Sequence, residues 1–128
     1  MSWQYYVDEY LMKNGNVSEG GIFGLKDGSP WATSPSFEVK SSDIKEIIAG
    51  LRDTNSPLFA SGIHVAGIQY LTLKANGRST YGKKGATGVC IAKAGQCLVI
   101  GVYKENIRGG DCANTVENMV GFLLENDY

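Results

Sequence analysis

The sequence predicts an α+β fold: a central antiparallel β-sheet meander with a helix at each end of the chain. Three observations predict it. Short strand-like runs separated by tight turn signals fill the middle of the chain. Apolar residues recur at helical spacing near both ends. Seventeen glycines with no short period fit many tight turns better than a repeat or a low-complexity region. At 128 residues and 43% hydrophobic content, residues 1–128 are expected to form one domain with a real core.

Each element has its own signal. Trp3, Tyr6, Val7, Tyr10 and Leu11 follow the i, i+3, i+4, i+7, i+8 pattern behind Ser2 as a cap, predicting a helix over 3–12 that Asn14, Gly15 and Asn16 end. Residues 20–25, the turn signal of residues 26–30, and residues 31–33 read as a hairpin. Ser41 or Ser42 caps a second helix running to about Arg52, with Ile44, Ile47, Ile48 and Leu51 on one stripe and Asn55, Ser56 and Pro57 as its stop. Strands are expected near 58–60, 63–66, 68–74, 79–82, 87–93 and 97–103. The last helix spans about 111–125, with Ala113, Val116, Met119, Val120, Leu123 and Leu124 at helical spacing and Asp111 as its cap, and is expected to pack on the sheet.

Several function classes lose support at this level. His64 is the only histidine, flanked by Ile63 and Val65, and no serine, cysteine or carboxylate pair is placed beside it by spacing. Catalysis is not expected. Cys90, Cys97 and Cys112 are odd in number, lie in apolar runs and lack ligand spacing, so neither a disulfide framework nor a metal site is expected, and no cofactor is implied. The opening residues carry no basic or apolar leader, and no apolar run reaches the ~20 residues of a membrane span. A soluble, cytoplasmic protein is expected.

Charge is distributed unevenly around a formal net of −1: residues 74–108 carry seven basic side chains against Glu105 alone, a local charge of +6. No acidic residue occurs from 54 to 104, so nothing nearby in sequence neutralises Lys74, Arg78, Lys83 and Lys84. Such a patch suits an acidic partner, whether a protein surface, phospholipid headgroups or nucleic acid. Residues 82–85 match neither nucleotide-binding glycine fingerprint. The other concentration is aromatic: Trp3, Tyr5, Tyr6 and Tyr10 at the start, Phe122 and Tyr128 at the end. Periodicity alone reads Trp3, Tyr6 and Phe122 equally well as core rings. Tyr128 tips the balance, since a ring after Glu125, Asn126 and Asp127 is not readily buried. Closely spaced, exposed Trp and Tyr rings suit polyproline segments, whose extended helix presents flat rings and free carbonyls.

With these residues in view, the chain resembles the profilins along nearly its whole length. The resemblance rests on residues 1–11, which begin Met-Ser-Trp-Gln-Tyr-Tyr, and on residues 29–34 around Trp31, 67–73, 78–85 and 99–103. Residues 78–85 look especially like the profilins of lower eukaryotes and plants. The resemblance implies that the N- and C-terminal helices share one face of the sheet, with smaller helices on the other. It also implies two partners, monomeric actin and proline-rich proteins such as actin assembly factors, and a place in the cytoskeleton. On the proline side it points to Trp3, Tyr6, Trp31, Phe122, Leu123 and Tyr128. Phe122 stands where vertebrate profilins carry a histidine, so it can stack but cannot donate a hydrogen bond. On the actin side it points to Lys74, Arg78, Lys83, Lys84, Ile107, Arg108, Asn114 and Asn118, the two asparagines standing where the vertebrate form has a lysine and a glutamate. Arg78, Lys83 and Lys84 are then the expected phosphoinositide site, and nucleic acid is not an expected partner. The alternative from another class is a PAS-like small-molecule sensor, which requires an interior cavity and buried terminal rings.

Overall fold

The computed structural model describes residues 2–51 and 58–128. A helix α1 (Trp3–Tyr6) opens the chain, with the Ser2 hydroxyl accepting from the Tyr5 N–H at 3.2 Å, as the cap signal predicts. The helix then widens into a π-helical segment, Val7–Met12. Periodicity of 3.6 residues does not anticipate this change of pitch. Its result is a division of the expected stripe: Val7 and Leu11 are fully buried, whereas Tyr10 remains 44% exposed.

Seven strands follow in one sheet: β1 (Glu19–Gly24), β2 (Pro30–Thr33), β3 (Ile63–Val65), β4 (Ile68–Ala75), β5 (Ser79–Lys84), β6 (Thr87–Lys93) and β7 (Cys97–Tyr103). Their order is β2-β1-β7-β6-β5-β4-β3, and every pairing is antiparallel. Strands β3 to β7 form the expected meander, and β1 closes against β7. Between strands lie α2 (Ser41–Leu51) and α3 (Leu58–Ser61), and α4 (Gly109–Glu125) ends the chain. The expected continuation of α2 to Arg52 and its stop at Asn55, Ser56 and Pro57 lie outside the described residues.

Two expectations are corrected. Residues 58–60 are helical rather than a strand; four residues of mixed apolar type carry too little periodicity to separate the two. The last helix starts two residues before Asp111, with Arg108 extended as its N-cap and no side-chain cap bond, so Asp111 lies in the first turn instead.

Strands β6 and β7 are buried on both sides, and their residues alternate between two cores. Cys90, Ala92, Cys97, Val99 and Tyr103 belong to one core with Val7, Leu11 and the α4 residues Cys112, Val116, Met119, Val120 and Leu123. Val89, Ile91, Leu98, Ile100 and Val102 belong to a second core with Ile44, Ile47, Ile48 and Leu51 of α2. The terminal helices therefore share one face and α2 covers the other. Gly101 is what lets α4 lie close to β7: a Cβ there would stand 2.7 Å from Val116 Cγ2 and 3.3 Å from Cys112 Sγ. The three cysteines are free and buried, and burial pushes the Cys97 thiol up to about 12, leaving it unreactive.

Candidate functional site

The aromatic surface is assembled by tethers at both ends of the chain. The Gln4 side-chain amide donates to Asp8 Oδ1 at 3.0 Å and to the Thr33 carbonyl at 2.9 Å, which ties α1 to β2. That tie brings Trp3 against Trp31, ring centroids 4.7 Å apart. At the other end α4 closes with Asp127 in the left-handed region at φ 68°. The Asp127 N–H donates to the Leu124 carbonyl at 3.2 Å and the Tyr128 N–H to the Leu123 carbonyl at 2.9 Å, the bond pair of a Schellman motif. The Gln96 N–H donates in turn to the Tyr128 carbonyl, and its side chain to the Asp127 carbonyl at 3.1 Å. Tyr128 is thereby set edge-on to Trp3 at 4.7 Å and 79°, with 37% of its surface exposed.

Trp3 is the node of the group, since it also meets Tyr6 at 5.5 Å. Tyr6 meets Phe122 at 5.7 Å and Tyr10 at 5.8 Å, and Tyr10 stacks on Phe122 at 5.1 Å and 25°. Of the six residues expected on the proline side, Trp3, Tyr6, Trp31, Phe122 and Tyr128 lie in this connected group. Leu123 is 1% exposed and belongs to the core on which Trp3 and Tyr6 pack. Tyr5 and Tyr10, present in the sequence cluster but absent from the family's set, are exposed members of the same group.

The second surface lies on β4, β5 and the start of α4. The register of β4 on β5 shifts between Thr72 and Lys74, so Leu73 forms a bulge. Lys74 consequently pairs with Tyr81, and its ammonium sits 4.9 Å above that ring. Arg78 does not stand free. Its Nε lies 3.4 Å from Glu117 Oε1, and Glu117 Oε2 accepts from Ser79 Oγ at 2.7 Å and Tyr81 Oη at 2.5 Å. Burial pushes the Glu117 carboxyl up, but the bonds from Tyr81 and Ser79 and the Arg78 charge outweigh it and hold it below its ordinary 4.5. Burial, then the bond to this carboxylate, raises the Tyr81 phenol. Nothing nearby in sequence neutralises the patch, as expected, but Arg78 finds a carboxylate on a helix 39 positions away in sequence. Lys83 and Lys84 are exposed and form no ion pair among the described residues. Strand alternation puts Lys83 on the Tyr81 side and Lys84 on the other.

Glu117 and Asn118 lie one turn beyond Asn114 on α4, and the two asparagines are exposed, as is Arg108; Ile107 is half-buried. Between these residues and β4 opens an apolar cavity of about 240 Å³ lined by Leu73, Tyr81, Cys90, Tyr103, Gly109 and Ala113, among others. Leu71 and Leu73 are 68% and 57% exposed. Charge patterning singled out the lysines here and missed these leucines, whose alternation with buried Tyr70 and Thr72 is the signal that marks them as outward-facing.

His64 lies on β3 with Nδ1 3.7 Å from Glu46 Oε1 of α2. Among the described residues no group of three His, Cys, Asp or Glu is arranged to hold a metal ion, and no helix is long and apolar enough to cross a membrane.

The described residues thus present an exposed ring cluster and, apart from it, a basic and apolar face. The sequence pattern of the profilin family matches residues 1–128. Profilin-P of Physarum polycephalum is 45% identical over 128 residues, 100% of both chains, and Profilin-1A of Acanthamoeba castellanii is 42% identical over 124 residues, 97% of each. The crystal structure of Acanthamoeba castellanii profilin II matches with a TM-score of 0.95 at 38% identity, over 99% of this chain and 100% of that one. Mouse profilin IIa, solved in complex with a double repeat from the FH1 domain of mDia1, shares the fold at a TM-score of 0.84 and 22% identity over 100% of each chain. The chain belongs to the profilin family, a class of actin-binding regulators of the cytoskeleton. The PAS-like alternative finds no support: the chain matches profilins throughout, and Tyr5, Tyr10 and Tyr128 are exposed rather than buried.

Proposed function

We propose that this protein binds monomeric actin on the β4–β5–α4 surface and proline-rich assembly factors on the aromatic surface, bringing monomers to sites of filament growth in the cytoplasm. The observation that carries the reading is the Trp3 node, where three further rings converge within 5.5 Å on a surface left partly open. Flat rings at that spacing suit the faces of a polyproline helix, and Tyr hydroxyls suit its unbonded carbonyls. The FH1 repeat seen on mouse profilin IIa is consistent with a ligand of this kind on the fold.

The actin surface follows from family membership and from the pairing of exposed Leu71 and Leu73 with Lys74, Lys83 and Arg108, an apolar centre with a basic rim. Ile107, Asn114 and Asn118 border it. Phosphoinositide headgroups are proposed for Arg78, Lys83 and Lys84, of which Arg78 and Lys83 stand on the same rim and Lys84 on the opposite face of β5, so lipid and actin compete for the first two. The mechanism is placement of two partners by one rigid domain, without chemistry on either. Retention on polyproline resin together with a slowed rise of actin polymerisation tests it. A protein that passes through the resin and leaves assembly unchanged is not what we propose.

A further inference from the structure

Two of the three buried cysteines are neighbours. Cys90 on β6 stands directly opposite Gly101 of β7. Cys112, in the first turn of α4, lays its sulfur over that same glycine: a Cβ at Gly101 would lie 3.3 Å from Cys112 Sγ. Residues opposite one another in antiparallel strands carry their Cβ positions ~4.5–5.5 Å apart on one face, so the two thiols share the space beneath the start of α4. Their hydrogen bonds agree. The Cys90 thiol donates to the Gly109 carbonyl at 3.9 Å, three residues before Cys112 on the same helix, and the Cys112 thiol is bonded to the Cys90 sulfur. Cys97 has no such neighbour, since it pairs with Gly24 and lies four residues from Gly101, about 13 Å along β7 at ~3.3 Å per residue.

The pair is asymmetric. Cys112 is fully buried, and its bond to Cys90, then burial, holds its thiol far above the ordinary value, so it keeps its proton. Cys90 lines the apolar cavity of about 240 Å³ that opens between α4 and β4. A solute of a few atoms thus has a path to one sulfur and not to the other.

We propose that Cys90 and Cys112 are a redox pair that closes to a disulfide when hydrogen peroxide enters this cavity, and that closure weakens the actin surface while sparing the aromatic one. The consequence for actin rests on the reading above; the bond itself does not. The Cys90 sulfur attacks one peroxide oxygen, the O–O bond breaks, and the departing hydroxide takes the Cys90 proton as water, leaving a sulfenic acid. The Cys112 sulfur then attacks the Cys90 sulfur, the S–O bond breaks, and the proton kept on Cys112 leaves with the hydroxyl as a second water. Two thiols are oxidised and one peroxide is reduced. Disulfide sulfurs stand ~2.0 Å apart, closer than unbonded sulfurs can come, so closure draws the first turn of α4 onto β6. That turn leads into Asn114 and Glu117 and walls the cavity through Gly109 and Ala113. The ring cluster meets α4 only at Phe122, ten residues beyond Cys112 and about 15 Å further along at ~1.5 Å per residue.

Hydrogen peroxide is added to the full chain, and the remaining thiols are counted by maleimide labelling in denaturant. Reduced protein should take three labels. Oxidised protein should take one, on Cys97, and its digest should contain a peptide cross-linked through Cys90 and Cys112. Cys97→Ala should cross-link as the wild type does, and Cys112→Ala should not. Actin affinity of the cross-linked protein should fall about three- to tenfold and return on treatment with dithiothreitol, with retention on polyproline resin unchanged throughout. Three labels after peroxide, or further oxidation of Cys90 without a cross-link, would overturn the pair. A cross-linked protein that binds actin as tightly as the reduced one would overturn the switch. If the reduced protein binds no actin, the reading above fails and the switch falls with it, while the label count still decides the pair.

Discussion

Asp127 carries a strain that most residues avoid, a φ of 68°, and it does so at the joint that aims Tyr128 back toward Trp3. Asp tolerates the left-handed region better than most side chains, and a β-branched residue tolerates it least. Asp127→Gly should leave both melting temperature and polyproline affinity close to wild type. Asp127→Val should unseat Tyr128 and weaken polyproline binding several-fold, with a stability loss of only ~1 kcal/mol because the ring is partly exposed. A Val variant that binds as well as wild type would show that Tyr128 is not part of the groove. At this scale the sequence was most legible where residue type alone decides chemistry: Trp3, Tyr6, Trp31 and Tyr128 could be named and were brought together. Glu117 could not, since its partners Ser79 and Tyr81 lie 38 and 36 positions away and no local charge pattern reports such a pairing.

Among the elements, α4 connects the two surfaces. It is 17 residues long, about 25 Å at ~1.5 Å per residue, with Gly109 beside the apolar cavity at its start and Phe122 beside the rings near its end. Its seat on β7 depends on Gly101. Gly101→Ala would drive a Cβ to 2.7 Å from Val116 Cγ2, and the forced shift should lower stability by ~1–3 kcal/mol in denaturant unfolding; an unchanged midpoint would mean that the helix has slack. The network of Ser79, Tyr81, Arg78 and Glu117 fixes the same helix to β5 through charge. Because the native Glu117 carboxyl titrates below its ordinary 4.5, its contribution is fully present above about 4.5 and is lost as pH falls through the native value. Glu117→Gln should therefore flatten that part of the stability profile, visible as a smaller drop in melting temperature below pH 4.5, whereas an unchanged profile would place the acid sensitivity elsewhere. Strand positions were legible from turn residues, yet β7 is buried at every position, so its alternation between two cores is invisible in hydrophobicity alone. The π-helical segment and the helix Leu58–Ser61 escaped notice because each is too short for a period to emerge.

For the whole molecule, what matters is that the two surfaces share a rigid frame without sharing side chains. Trp3 and Lys83 lie on different surfaces, and no residue of the ring cluster belongs to the β4–β5 face. Trp3→Ala removes the ring on which three others converge, and a loss of ~2 kcal/mol or more in polyproline affinity is expected of such a centre. Actin binding should survive it nearly intact. Reversing Lys83 and Lys84 to Glu should do the opposite, weakening actin binding more at low salt than at high, as expected when exposed charges steer association. The same reversal should weaken binding to vesicles containing phosphoinositides, and those vesicles should displace wild-type protein from actin if the basic rim is shared. Each variant thus serves as the control for the other, provided circular dichroism shows both folded. Loss of both activities in either variant would mean that the frame transmits change between the surfaces, and bridging of two partners by independent sites would then be the wrong description of this domain.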